Sequence, residues 1–375
     1  MRVALVHDWL TGMRGGEKVL ATLCQLYPAA DIFTLFHDRG SVSPAIDRHR
    51  ITTSFIQWLP YARTQYRRYL PLFPTAIEQF NLDGYDLVIS ASHCAAKAVI
   101  PNGRARHLSY CFSPMRYALD QFGAYFGPSR VGPTASRWLY RPVLARMARW
   151  DAATAPRVHR FLADSAHVAG RIQRYYNRPS TIVYPPVDTA FYTPGPAQPG
   201  RHFLIVSALV PYKRIDLAID ACRIAHAPLR IIGSGPDRAA LERRAAGGVG
   251  SNNVTFLGHC SDERIRDEYR GAAAVILPGE EDFGIVPVEA QACGRPVVAY
   301  QRGGACETVL EGRTGTFFAD ATPASLAEAL RRVPDMTFDA SSLRAWAEGF
   351  SGQRHVEALT AAIDDTMSQP VGTRW

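Results

Sequence analysis

Short apolar runs alternate with segments patterned as amphipathic helices twice along this 375-residue chain, and a proline- and glycine-dense stretch separates the two series. Apolar runs followed each by a helix describe strands buried on both faces, as in a parallel sheet covered by helices on either side. In the first series Val3–Val6, Asp31–Phe36, Leu87–Ser90, His107–Phe112 and Arg160–Ala163 read as strands, with a helix over Glu17–Leu26. In the second, strands are expected at His202–Ser207, Leu229–Ile232, Val254–Leu257, Ala273–Leu277 and Pro296–Ala299. Helices alternate with them over Ile215–Ile224, Asp237–Ala246, Asp262–Tyr269, Val286–Cys293 and Ala324–Arg332. Thr322 caps the last of these, and Pro323 fits its first turn. Between the series, Pro185, Pro186, Pro194, Gly195, Pro196, Pro199 and Gly200 lie within sixteen residues, the density of a linker.

The expected architecture is therefore α/β: two doubly wound Rossmann-like domains, residues 1–185 and 186–352, facing each other across a cleft. A C-terminal helix of about 353–375 is expected to pack back on the first domain. In such sheets ligands bind outside the carboxyl ends of the strands. The balance of 47% hydrophobic and 20% charged residues excludes a disordered chain, and no heptad or triplet repeat supports a rod. No uncharged apolar stretch reaches the ~18 residues of a membrane span. The first apolar run is too short for a signal peptide, and no small-residue cleavage site follows it. Seven cysteines are scattered without a C-x-x-C pair, which argues against a zinc site or a disulfide framework and for the cytoplasm.

Charge is unevenly placed. Residues 1–185 carry 23 basic against 11 acidic side chains, a net of +12, whereas residues 186–375 carry 19 against 23, a net of −4. Such asymmetry points to an anionic partner for the first half: nucleic acid, anionic lipid or a phosphorylated substrate. Two stretches are both basic and aromatic. One runs from Trp58 through Tyr61, Arg63, Tyr66, Arg67 and Arg68 to Tyr69; the other from Arg137 and Trp138 through Arg141, Arg146 and Arg149 to Trp150. The second has helical spacing and is either a solvated helix with its aromatic rings in the core or a helix lying on an anionic membrane surface. Only Lys18, Lys97 and Lys213 break an otherwise all-arginine usage, which makes each lysine worth inspection.

The motif richest in chemistry is Gly279-Glu280-Glu281-Asp282-Phe283-Gly284-Ile285-Val286-Pro287-Val288-Glu289-Ala290. It follows a buried strand and opens a helix, whose N-terminus offers N–H groups and a partial positive charge. Carboxylates are acceptor-only groups suited to sugar or ribose hydroxyls. Helix N-terminal acids are also common for electrostatic reasons. That accounts for Asp282 but poorly for Glu289, inside the helix.

Glu281-x7-Glu289 with Phe283-Gly284 resembles the signature of glycosyltransferase family 4, retaining enzymes of the two-domain GT-B fold. Gly15-Gly16-Glu17-Lys18 resembles the family's N-terminal glycine loop, and Leu209-Val210-Pro211-Tyr212-Lys213-Arg214 its lysine loop. Gly303-Gly304-Ala305-Cys306-Glu307-Thr308-Val309 and Gly312-x-Thr314-Gly315 resemble its downstream loops. Within the family, Ser113-Pro114-Met115-Arg116-Tyr117-Ala118-Leu119-Asp120, Asp164-Ser165 and Tyr184-Pro185-Pro186-Val187-Asp188 look most like bacterial mannosyltransferases of polysaccharide assembly.

The resemblance implies roles. Gly15 and Gly16 let backbone N–H groups reach the donor diphosphate, unless they form an ordinary strand-to-helix turn. Lys213 neutralises the departing diphosphate, unless it is a solvated loop lysine, and Arg214 either assists it or lies on the surface. An arginine five residues before the lysine is usual in the family; Ala208 stands there. Glu281 binds hydroxyls of the transferred sugar, with backbone N–H groups of Phe283, Gly284 and Ile285, and Glu289 holds the ribose. Gly233, Gly258 and His259 fall near the nucleoside or in plain turns. The family's first-domain histidine is missing from Tyr110–Pro114, which leaves His93, Ser113, Arg116, Tyr117 and Asp120 as sugar or acceptor contacts.

The reaction implied is transfer of a hexose from a nucleotide-diphosphate sugar, GDP-mannose first and a UDP-sugar second, with retention and without a metal or other cofactor. The acceptor implied is a lipid-linked oligosaccharide at the inner face of the cell membrane, with an anionic membrane surface as partner and no nucleic acid. Three rivals are weighed. A nicotinamide oxidoreductase lacks its G-x-G-x-x-G after Val3–Val6, where the chain reads Asp8-Trp9-Leu10-Thr11-Gly12. A nucleotide-sugar epimerase shares the two-domain shape. A polyanion-binding protein leaves Glu281 and Glu289 idle.

Overall fold

The computed structural model describes residues 1–195, 200–247 and 253–370. These divide into two compact units: Met1–Pro186 together with the chain from His355 onward, and Val187–Arg354. The first boundary thus falls one residue later than expected, because Val187 is fully buried and its N–H donates to Phe350 O (3.1 Å) in the second unit. The second boundary falls two residues later, at His355, whose Nδ1 meets Tyr184 O at 2.6 Å.

The first unit holds β1 (Val3–His7), β2 (Asp31–Thr34), β3 (Ile51–Thr53), β4 (Leu87–Ser92), β5 (Arg106–Cys111), β6 (Arg160–Ala163) and β7 (Ser180–Ile182), in the order β3-β2-β1-β4-β5-β6-β7. All pairs are parallel, and Leu5 of β1 registers with Ile32 on one side and Ile89 on the other. Alternate residues serve opposite faces. Val3 and Leu5 join Val19, Leu20 and Leu23 of the helix Gly15–Leu26 in one core. Ala4 and Val6 join Ile56, Tyr66, Phe73 and Met147 in another. The helix Gly352–Ser368 returns to the first of these cores through Leu359, Ala362 and Ile363.

The second unit holds β8 (Phe203–Val206), β9 (Leu229–Ile232), β10 (Val254–Gly258), β11 (Ala274–Leu277), β12 (Val297–Tyr300) and β13 (Gly315–Phe318), in the order β10-β9-β8-β11-β12-β13, again all parallel. Local chemistry sets the helix starts. Ser261 accepts from Arg264 N–H at the head of Asp262–Gly271, and Thr322 from Ser325 N–H at the head of Pro323–Arg332. Leu217, Ala218, Leu326 and Leu330 close one core over the sheet.

The proline-rich stretch is not a free linker over its described part. Arg344 donates to the carbonyls of Thr189 (2.6 Å) and Tyr192 (2.5 Å), and Arg270 to the carbonyl and hydroxyl of Thr193, both at 2.8 Å. Two guanidiniums thus fasten 189–193 to the second unit. Pro196 and Pro199 lie outside the described residues, as does the end of the expected C-terminal helix, 371–375.

Candidate active site

The order of the second sheet reverses between β8 and β11, so the connections leaving these strands run to opposite sides and open a crevice at their carboxyl ends. Both chemically distinctive side chains arrive there. The loop after β8 carries Lys213 on a short turn, Pro211–Lys213, and the loop after β11 carries Glu281. The Lys213 ammonium forms an ion pair with the Glu281 carboxylate, and each side chain keeps about a sixth of its surface exposed (17% and 18%).

Three glycines make the pairing possible. A Cβ on Gly279 would lie 2.4 Å from the carbonyl oxygen of Tyr212, and one on Gly303 would lie 2.2 Å from that of Glu281. Gly304 N–H donates to the Glu281 carbonyl at 2.9 Å, and a Cβ there would overlap Asp282 and Phe283. The Glu281 backbone is thereby clamped between two neighbouring loops. Directly after it, Gly284 takes φ +90° and the helix Ile285–Ala292 begins, its first-turn amides available for an anion. The Phe283 ring is buried against Phe350 (5.7 Å).

Glu289 lies inside this helix, 6% exposed, and accepts a hydrogen bond from the Tyr269 hydroxyl (3.0 Å) of the helix Asp262–Gly271. The carboxylate expected to hold ribose is thus buried and engaged by a tyrosine. Ala208 and Gly233 sit on the loops after β8 and β9, and Gly258 ends β10 beside them. Gly233 N–H donates to Gly258 O (2.7 Å), and Leu209 N–H to Ser234 O (2.9 Å). A Cβ on Gly233 would come within 1.8 Å of the Ser207 carbonyl oxygen, so this close approach requires glycine at 233. His259, next in line, is exposed.

Arg214, next to Lys213, pairs within its own turn. It takes φ +52°, and its guanidinium donates to the Asp216 carboxylate two residues on (3.2 and 3.4 Å). Arg238, an arginine the sequence motifs passed over, lies closer to these loops: a Cβ on Gly258 would sit 3.4 Å from its guanidinium.

In the first unit the order reverses between β1 and β4. The helix Gly15–Leu26 begins beside that point with Gly15 and Gly16, and the Arg14 N–H donates to Glu17 (3.1 Å). A Cβ on Gly16 would press to 3.3 Å on both His7 and Phe112, a close approach that itself explains the glycine. Burial raises and the neighbouring His7 (Nε2 3.8 Å away) lowers the Glu17 carboxyl, and the balance falls below its ordinary value.

Asp8, at the end of β1, organises this end of the sheet. Its fully buried carboxylate accepts from the backbone N–H groups of His93 (2.7 Å), Cys94 (3.0 Å), Ala95 (2.6 Å) and Ala96 (2.7 Å), and meets His93 Nδ1 at 3.1 Å. The Trp9 ring stands edge-on to His93 at 4.4 Å. Thus His93, whose side chain is 35% exposed, is held on two sides. Asp8 was passed over in the sequence; its only signal is an acid directly after a buried strand, and its partners lie 85 residues away.

The other first-unit candidates are engaged elsewhere. The Ser113 hydroxyl donates to Pro114 O (3.0 Å), and the Tyr117 hydroxyl pairs with Cys94 Sγ (2.7 Å). Asp120, which is exposed, is tied to Arg171 and Tyr175 of the helix Ala166–Tyr176. Arg116 opens the short helix Arg116–Leu119 and is half-buried. Among the described residues no cluster of three or more histidine, cysteine, aspartate or glutamate side chains is arranged to hold a metal ion. None of the described helices is long and apolar enough to cross a membrane.

Residues 193–348 match the family of glycosyl transferases, group 1. That segment contains Lys213, Glu281 and Glu289. The chain is 32% identical over 215 residues to a D-inositol 3-phosphate glycosyltransferase of Gordonia bronchialis, covering 50% of this chain and 47% of the relative. It is 33% identical over 207 residues to that of Mycolicibacterium smegmatis, covering 50% and 48%. The chain thus spans about half the length of the curated relatives it matches, and these carry a different name from the polysaccharide mannosyltransferases its motifs resemble. In fold it is similar to Anabaena HepE solved with UDP and glucose (TM-score 0.73, 18% identity, 97% of this chain and 100% of that one). It is also similar to the lipopolysaccharide outer core galactosyltransferase WaaB (TM-score 0.66, 16% identity, 97% and 99%). Two parallel-sheet α/β domains of the GT-B glycosyltransferase type are thereby shown.

Proposed function

We propose that this protein is a retaining glycosyltransferase that moves a hexose, mannose from GDP-mannose, to a hydroxyl of a lipid-linked oligosaccharide precursor. The observation that carries the reading is the Lys213–Glu281 ion pair at the crevice of the second sheet, inside the segment that matches the group 1 family. Without donor the two side chains satisfy each other. With donor, Lys213 turns to the diphosphate, exchanging one anion for another, and Glu281 accepts from sugar hydroxyls in place of the ammonium.

In the reaction the bond from the anomeric carbon to the diphosphate oxygen breaks, and the acceptor oxygen bonds to that carbon on the same face. The acceptor proton passes to the leaving phosphate. Charge grows on the diphosphate as the bond lengthens, and a fixed ammonium and helix-terminal amides stabilise it there. In the first unit the resemblance assigns Gly15 and Gly16 to the donor diphosphate and His93 to a sugar or acceptor contact. No divalent ion enters this scheme, and turnover is expected to be unchanged by a chelator.

Two printed likenesses favour a second reading, a UDP-sugar donor with an inositol-phosphate acceptor: the UDP in Anabaena HepE and the names of the curated relatives. Calorimetric titration with GDP, UDP and NAD separates the readings. Saturable GDP binding with weaker UDP binding supports the first, and the reverse supports the second. Binding of NAD alone removes both.

A further inference from the structure

The first unit has a concave surface that the candidate active site does not use. Arg2, Asp31, Arg50 and Tyr85 stand at or just before the starts of β1, β2, β3 and β4, whereas Asp8 follows the far end of β1. These four residues line one cavity of about 460 Å³. Thr52 and Thr53 of the edge strand β3 line it too, as do Gln79, Asn81 and Asp83 after the helix Phe73–Glu78. That volume falls within the range of small-molecule sites, about 300–1,000 Å³.

Its apolar wall is aromatic. The Phe33 ring lies 5.4 Å from that of Phe80 and 5.8 Å, edge-on, from that of Tyr85, and Phe55 lines the cavity beside them. The Tyr85 hydroxyl donates to Asp31 Oδ2 (2.5 Å), and the Arg2 guanidinium stacks on the Tyr85 ring at 4.7 Å, which fixes one side of the cavity. On the other side Arg50, Gln79 and Asp83 are exposed, and Thr52 and Thr53 are half-buried. A guanidinium, an amide, a carboxylate and two hydroxyls are thus gathered in one place, donors and acceptors together.

Charge decides which ligand this lining suits. Arg2 and Arg50 stand against Asp31 and Asp83, so the cavity is balanced, although residues 1–185 as a whole carry a net +12. An anion gains no net attraction from such a wall. A neutral sugar does gain from it: every hydroxyl both donates and accepts, and the carbon-bound hydrogens of a pyranose ring lie against aromatic carbon.

We propose that this cavity is a second saccharide site, which holds a neutral sugar chain on the first unit at the amino ends of its strands. Such a site retains a glycan on the enzyme while its reacting end is elsewhere. The inference adds to the transfer proposed above and is independent of which donor supplies the hexose.

The test is saturation-transfer NMR of the full chain with three neutral trisaccharides, mannotriose, maltotriose and cellotriose, with inorganic phosphate as competitor. At least one trisaccharide should bind saturably, and equally well to wild type and to Glu281→Ala. The Arg50→Ala/Asp83→Ala double variant removes two exposed side chains and leaves the net charge unchanged. It should fold as wild type does and bind that trisaccharide at least about fivefold more weakly. Binding of none of the three, displacement by phosphate, undiminished binding by the double variant, or loss of binding in Glu281→Ala would each overturn the proposal. Trisaccharide binding without any hexose transfer removes the functional reading alone; transfer without trisaccharide binding removes the second site alone.

Discussion

Lys213 and Glu281 stand 68 residues apart in sequence and meet as an ion pair at the point where the strand order of the second sheet reverses. Each side chain is more than four-fifths buried, so removing one partner leaves the other largely desolvated and costs some stability. Glu281→Ala should reduce hexose transfer by about 10²–10³-fold, and Lys213→Ala should weaken both nucleotide binding and turnover. Both variants should remain folded, with circular dichroism spectra like that of wild type. Activity close to wild type in the two variants would remove the site.

Asp8 satisfies four backbone N–H groups of the 93–96 turn. Deleting its carboxylate leaves buried donors that each cost about 1–3 kcal/mol when unpaired. Asp8→Ala should therefore destabilise the first unit by at least about 3 kcal/mol, and Asp8→Asn, which keeps one oxygen, by less. His93→Ala removes a part-exposed ring and should cost less than either. Urea unfolding of the three variants gives the order directly.

Gly304 has ordinary helical backbone angles (φ −64°), so an alanine there is penalised only by overlap with Asp282 and Phe283. Gly304→Ala should cost about 1–3 kcal/mol and weaken nucleotide binding, because the Glu281 loop must move to admit the methyl group. Gly170, in the helix Ala166–Tyr176, has open space at its Cβ, and Gly170→Ala should stabilise by up to about 1 kcal/mol. Equal thermal shifts for both substitutions would contradict the clamp.

Burial pushes two histidines of the first unit down, His107 to about 3 and His355 to about 4. In the unfolded chain they titrate near 6.5, so below that pH the unfolded state binds more protons. Their contribution is fully present above about pH 6.5 and is lost as pH falls toward 4, by up to about 1.4 kcal/mol per pH unit for each. Urea midpoints measured from pH 7.5 down to about 4.5 should fall along this course. His355→Gln, which keeps a donor for Tyr184, should flatten it.

The buried strands were legible because continuous apolar runs mark them. The strands that escaped notice, β3, β7 and β13, are all sheet edges. β3 reads Ile-Thr-Thr and β7 Ser-Thr-Ile, partly solvated and with no apolar run to see, while β13, though mostly buried, opens on Gly315 and Thr316. At the candidate site the motif located Lys213 and Glu281, but their contact joins two loops and is not a property of either. The Asp8 clamp is long-range in the same way. The partners of Asp120 could not be read from its motif because Arg171 and Tyr175 lie on a helix some fifty residues on. The partner of Arg214 was in plain view at Asp216.

The most direct test of the central claim is mass spectrometry of a prenyl-diphosphate-linked acceptor after incubation with the protein and a panel of nucleotide sugars. The account predicts an acceptor heavier by one hexose with GDP-mannose, and no such product from the Glu281→Ala variant. An unchanged acceptor with every donor, or the same product from wild type and Glu281→Ala, would contradict it.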